Sequence, residues 1–300
     1  MKRDIIGFGA INYDFICLVD KLADSGEEVP IKNIYTCPGG SVPNTVVALS
    51  VLGKDVALAG AIGRDELGTE LLDFYRSHDI DAESVLRKDG ATGRAFIFVD
   101  KEGRRTLYPF GGVNSDISME DLDLERMRSF KMIHIGSFAN PEQLKIQEAI
   151  CDIGVDVSFS PGMIYAKMGL KYIKKVLRHC KILFLNEREL KILTGLSVSD
   201  ALSLLNKIGV EIAVVTLGEK GCLIGSKGKL TKVKAKKVDV RDDTGAGDLF
   251  AGGFLCGILE ERELMECGMM GNEMASHSLK DFGAVLQNLL KPNSGSMFDS

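Results

Sequence analysis

The stretch RDDTGAGDLFAGGF, Arg241 to Phe254, sets acids and glycines directly before a run in which Leu249, Phe250, Phe254, Leu255, Ile258 and Leu259 recur at helical spacing. A helix starting there offers backbone N–H groups that no internal carbonyl accepts, together with the positive end of the helix dipole. Glycine lets an anion come close to that backbone. Aspartates in such a loop would repel a phosphate, so they make chemical sense if one handles a proton or the region handles a metal ion.

Other segments invite the same question. In CPGGSVPNTVVALSVLG, Cys37 to Gly53, the pair Gly39 and Gly40 precedes an apolar helix, with Ser41 as a fair N-cap and Pro43 near its second position. The chemical reading has the glycines admitting a small ligand while Asn44 turns a polar head toward it; the plain one is a glycine turn before a helix. GAIGRDELG, Gly60 to Gly68, is a strand ending in glycine and acid. In FLNERELKILTG, Phe184 to Gly195, an apolar strand breaks into Asn186, Glu187 and Glu189. Asn186 and Glu189 stand three apart, so on a first helical turn they can face one way, and such oxygen donors suit Mg2+. The alternative is an N-cap with acids favoured by the dipole. VVTLGEKGCLIG, Val214 to Gly225, leaves a strand through Thr216 and Gly218 to a turn at Gly221, which suits nucleotide phosphates or ribose and equally a plain hairpin. Two common nucleotide devices are excluded: GFGAIN lacks the third glycine of a dinucleotide fingerprint, and no GxxxxGK[ST] exists.

The elements that must position these residues alternate. Candidate strands at 5–10, 56–62, 132–135, 155–159, 182–185 and 212–216 are interleaved with amphipathic stretches at 42–52, 66–78, 142–152, 170–179 and 187–194. The pattern predicts an α/β fold, a three-layer sandwich with helices on both faces of a mostly parallel sheet. Residues 15–37 and 95–108 show strand-like alternation without a following helix, so they are expected to pair as a small β-sheet lid over the strand ends. One domain over residues 1–290 and a polar tail over 291–300 complete the expected organisation.

Composition narrows the function classes. The 300 residues are 45% hydrophobic and 26% charged with a net charge of −5, and no basic run suggests a nucleic-acid footprint. No apolar stretch reaches the ~18 residues of a membrane helix and the start is too short for a secretory signal, so a cytoplasmic protein is expected. Seven cysteines without a CxxC pair read as reduced core thiols. His134 is as well placed for the core as for a ligand.

Taken together and in this order, the segments resemble the ribokinase-like carbohydrate kinases, the phosphofructokinase-B group, from Gly9 to about Gly283. The glycine-asparagine segment is similar to that family's first signature and DDTGAGD, Asp242 to Asp248, to its second; NERE and TLGEKG match its metal-associated and nucleotide segments. The resemblance implies a Rossmann-like kinase that uses ATP and Mg2+ to phosphorylate a hydroxymethyl group of a sugar or nucleoside. It implies Asp248 as general base, the N–H groups of Gly245, Ala246 and Gly247 as an anion hole, and Asp14, Gly39, Gly40 and Asn44 as the substrate side. Asn186, Thr216, Gly218, Gly221, Asn272 and Gly283 fall on nucleotide-side positions, with Glu189 and Asn186 toward the metal. Phe96, Phe98, Phe110 and Phe138 are candidates for an apolar wall against a base. Lids of relatives often pair, which adds a homodimer to the expectations. Asp243 and Ser160 depart from the family pattern, and a phosphosugar kinase, an ADP-using enzyme or a non-catalytic binding protein remain as alternatives.

Overall fold

A computed structural model describes residues 2–236 and 245–278. Asp242, Asp243, Gly283 and the 291–300 tail lie outside these described residues. In chain order the elements are β1 (Arg3–Phe8), β2 (Asn12–Val19), β3 (Ile31–Gly39), α1 (Ser41–Val51), β4 (Val56–Gly63), α2 (Glu66–Ser77), β5 (Asp81–Lys88), β6 (Gly93–Val99) and β7 (Arg105–Phe110). Then follow α3 (Leu124–Arg128), β8 (Phe130–Gly136), α4 (Gln143–Cys151), β9 (Asp156–Ser160), α5 (Gly162–Met168), α6 (Leu170–His179), β10 (Cys180–Asn186) and α7 (Glu187–Thr194). The rest are α8 (Val198–Ile208), β11 (Ile212–Thr216), β12 (Cys222–Ser226), β13 (Lys229–Val233), α9 (Ala246–Leu259) and α10 (Leu264–Ser278).

The main sheet has nine strands in the order β13-β12-β11-β10-β9-β8-β1-β4-β5. Its strands from β11 to β5 are parallel, and β12 and β13 close one edge as an antiparallel hairpin. Parallel strands buried on both faces must be apolar at consecutive positions. Ile6 and Phe8 pack with α3 to α8 on one side, while Ile5 and Leu58 pack with α1, α2, α9 and α10 on the other. Burying each such side chain is worth roughly 1.5–3 kcal/mol, so the alternation of faces along every strand fixes the three layers. β5 had no sequence signal: DAESVLRK lies at the sheet edge and carries charges on its open side.

The second sheet has the order β3-β2-β6-β7, and β2 pairs with β6 along Asn12 to Leu18. The two lid segments therefore do pair with each other, over slightly longer strands than the sequence suggested. The lid leaves the main sheet at the carboxyl end of β1 and returns through Gly39 and Gly40 into α1. Asn114 braces this junction: its side chain accepts from the Ile11 N–H at 3.0 Å and donates to the Ile11 carbonyl at 2.9 Å. All seven cysteines are buried thiols. Among the described residues no helix is long and apolar enough to cross a membrane.

Candidate active site

Helices that follow the parallel strands start at the carboxyl edge of the main sheet, and the lid starts from the same edge. α9 begins at Gly245, whose φ of 76° is left-handed and suits glycine, so the N–H groups of its first turn are presented without a side-chain cap. A Cβ at Gly247 would meet nothing within 4 Å, which leaves the approach to that turn open. Asp248 follows in the first turn of the helix.

Asp248 is held from α1. Ser41 Oγ donates to its Oδ1 at 2.5 Å and Asn44 Nδ2 donates to its Oδ2 at 2.9 Å. Burial raises the Asp248 carboxyl to about 6, while these two hydrogen bonds and the charge of Arg105 pull the other way. The structure thus corrects the expected cap of α1. Ser41 is not the cap of α1: Gly40 takes that place, making Ser41 the first helical residue and Pro43 the third. Asn44 turns its amide to Asp248, which ties the glycine-asparagine segment to the acid-glycine segment directly.

Asp14 projects from β2, buried, with Oδ1 lacking any hydrogen-bond partner. Burial and then the charge of Asp248 push it up to about 7. Gly39 explains how a carboxyl fits there, because a Cβ at that position would run into it. Asp14, Gly39, Gly40, Asn44, Gly245, Ala246, Gly247 and Asp248 therefore gather at one junction of lid, α1 and α9.

Asn186 and Glu189 form a reciprocal cap on α7. The Glu189 N–H donates to Asn186 Oδ1 at 2.8 Å and the Asn186 N–H donates to Glu189 Oε2 at 3.0 Å. The plain reading of these residues is thereby observed, and Asn186 Oδ1 is engaged. Burial and then the charge of Asp248 raise the Glu189 carboxyl, against the lowering effect of its hydrogen bonds to Asn186. Thr216 lies beside Asn186 in the register of β10 and β11, and Gly218 and Gly221 form the turn of the β11–β12 hairpin. Asn272, on α10, donates to the Lys234 carbonyl at 3.2 Å. Among the described residues no group of three or more His, Cys, Asp or Glu side chains is arranged around a metal position.

Strand register separates the lid residues. Asp14, Ala95 and Pro109 form one row, Ile16, Ile97 and Leu107 the next, and Leu18, Val99 and Arg105 the third, all on one face. Arg105 thus shares a face with Asp14, and its charge reaches Asp248. No sequence pattern singled it out. Phe96, Phe98 and Phe110 fall on the opposite face, with Phe15 stacked on Phe96 at 5.3 Å, and Phe138 is packed against Phe8 in the core. The apolar wall expected from these phenylalanines is not on the Asp14 side; Ile16, Ile97 and Leu107 occupy that face. His134 is a core residue bonded to Ser158 through Nδ1 at 2.9 Å, and burial pushes it down to about 3, so it is neutral. Asp65 of the GRDELG segment is structural, accepting from the Gly68 N–H at 2.9 Å as the cap of α2 and from the Thr92 N–H at 3.0 Å.

Comparison with known proteins identifies the family and the fold. The family profile for pfkB family carbohydrate kinases matches residues 2–290. An uncharacterized sugar kinase of Archaeoglobus fulgidus is 35% identical over 241 residues, covering 79% of this chain and 96% of that protein. A nucleoside kinase of Methanothermobacter thermautotrophicus is 27% identical, covering 94% of this chain and 91% of its own. The crystal structure of a ribokinase from Thermotoga maritima superposes with a TM-score of 0.83 at 26% identity, covering 94% of each chain.

Proposed function

The chain belongs to the pfkB family of carbohydrate kinases, and from that premise we propose that it transfers the terminal phosphoryl group of ATP to a hydroxymethyl group of a sugar or nucleoside, with Asp248 accepting the proton. The observation that carries this reading is one half-buried carboxylate, held by Ser41 and Asn44, placed at the first turn of α9 beside uncapped backbone N–H groups. Phosphoryl transfer asks chiefly for positioning and for stabilisation of charge on the transferred group. Gly245, Ala246 and Gly247 direct their N–H groups where that charge develops. Asp248 takes the hydroxyl proton as the oxygen bonds to phosphorus.

Asp14 supplies two carboxylate oxygens for neighbouring hydroxyls of the acceptor, one of them unpartnered in the free protein. Gly39 and Gly40 leave room beside it. Arg105 adds a positive charge from the lid, which the Gly245–Asp248 turn does not itself contain. Excluding water by the lid would strengthen each of these interactions.

Mg2+ fits the donor set as a phosphate-bound ion that keeps most of its water. Glu189 offers Oε1, which stays outside its helix cap, as one oxygen donor to such an ion. When bound, Mg2+ would supply charge neutralisation at the phosphate oxygens. Thr216, Gly218 and Asn272 line the proposed nucleotide side.

The exposed outer face of the lid, with Ile34, Phe96, Tyr108 and Phe110, is the surface we assign to a homodimer. The catalytic reading is tested by nucleotide consumption with Mg2+ against free sugars, sugar phosphates and nucleosides, with ATP and then ADP as donor. Turnover of a sugar or nucleoside with ATP is the expected result. Turnover only of a phosphosugar, or only with ADP, replaces the acceptor or donor; nucleotide binding with every acceptor silent favours a binding protein.

A further inference from the structure

The first turn of α1 grips Asp248 from three positions on one helical face. Ser41 reaches Oδ1 at 2.5 Å, Asn44 reaches Oδ2 at 2.9 Å, and the Thr45 hydroxyl donates to the Asp248 backbone carbonyl at 3.1 Å. Residues at i, i+3 and i+4 lie side by side on a helix, so the stripe is a built contact between two helix N-termini. The Ser41 hydroxyl is free for this task because Gly40 caps the helix without a side chain.

Close packing lets so short a side chain reach. Gly252 sits one turn beyond Asp248, and a Cβ there would meet the Ala48 Cβ at 2.6 Å and the Thr45 carbonyl at 3.1 Å. α1 and α9 therefore approach with almost no side chain between them. Asp14 on β2, Glu189 on α7 and Arg105 on β7 act on the same region through their charges. Among the described residues, Ser41 and Asn44 are the side chains that donate to the Asp248 carboxylate.

We propose that Ser41 is a positioning residue for the proton acceptor, fixing the plane of the Asp248 carboxylate so that its remaining acceptor sites face the substrate hydroxyl. Each carboxylate oxygen carries two acceptor directions, so one donor per oxygen leaves a second open. With Asn44 alone, the carboxylate can pivot about the Oδ2 contact, and misalignment of a reacting group lowers turnover more than binding. The proposal rests on the reading of Asp248 as general base.

The experiment uses the full chain with the acceptor found in the panel, at saturating ATP. Ser41→Ala is expected to lower kcat about tenfold, the scale of one lost hydrogen bond to a charged group, with acceptor KM within about twofold. Ser41→Thr, which keeps the hydroxyl, is expected to recover most of the turnover, and Ser41→Gly provides a second removal of the hydroxyl should the alanine variant not fold. Unchanged kcat in the folded alanine or glycine variant, or a threonine variant as slow as these, overturns the proposal. Asp248→Asn separates the two readings. Near-normal turnover there removes the base itself, whereas a dead Asp248→Asn beside a fully active Ser41→Ala overturns the positioning role alone.

Discussion

Asp14 and Asp248, brought together from the lid and from α9, are a buried and a half-buried carboxyl that interact through their charges: burial and then the charge of Asp248 raise Asp14 to about 7. Asp248, with Ser41 and Asn44 as donors, rises only to about 6. The donors distinguish the two groups: Asp14 keeps an unsatisfied acceptor oxygen, while Asp248 is oriented and kept more easily ionised.

The Asp14 carboxyl has a measurable stability cost. Its folded value lies above the ordinary 3.8, so the folded protein holds this proton to higher pH than the unfolded chain does. The group's contribution to stability therefore declines as pH rises from about 4 to about 7. Asp14→Asn removes the buried charge and should be more stable than the parent at pH 8 by roughly 1–4 kcal/mol, with the difference vanishing near pH 4. Acceptor KM should rise at least about tenfold with nucleotide affinity unchanged. Thermal melts across pH and steady-state kinetics check both; a variant no more stable at pH 8 sinks the buried-charge argument.

Asp248 must be ionised to take a proton, so kcat of the parent should fall as pH drops through about 6. Asp248→Asn should fold, bind nucleotide and lose at least ~10^2 in kcat with little change in KM. Steady-state rates over pH 5 to 8 would decide, and a parent profile flat through that range would argue against a carboxylate base.

Arg105→Ala should reduce kcat roughly 10- to 100-fold with acceptor KM nearly constant, because the charge it supplies matters most as phosphoryl charge develops. Since Arg105 pulls the Asp248 carboxyl down, its removal should also move the acid limb of the rate profile upward. A normal kcat with an unmoved limb would place Arg105 outside the site.

Phe96→Glu and Tyr108→Glu place charges on the outer lid face, where both side chains are exposed. Sedimentation velocity should show the parent as a dimer and these variants as monomers. A monomeric parent at micromolar concentration would retire the lid interface.

Much of this protein is legible locally. Apolar runs such as Ile212 to Thr216, interleaved with helical periodicity, determine layered α/β architecture, because strands covered on both sides must be apolar at successive positions. The glycines before Leu249 announce a helix start with unpaired N–H groups for the same local reason, and α9 begins there. Ser41, Asn44 and Thr45 fall on one face of any helix that runs through them, although nothing local says what that face meets.

Tertiary structure alone decided that it meets Asp248, since close approach of α1 and α9 depends on packing between segments far apart in the chain. Register alone decided that Arg105 shares a face with Asp14 while Phe96, Phe98 and Phe110 turn away. A shift of one residue exchanges the two faces of a strand, and that shift is set by pairing between strands, which no single strand encodes.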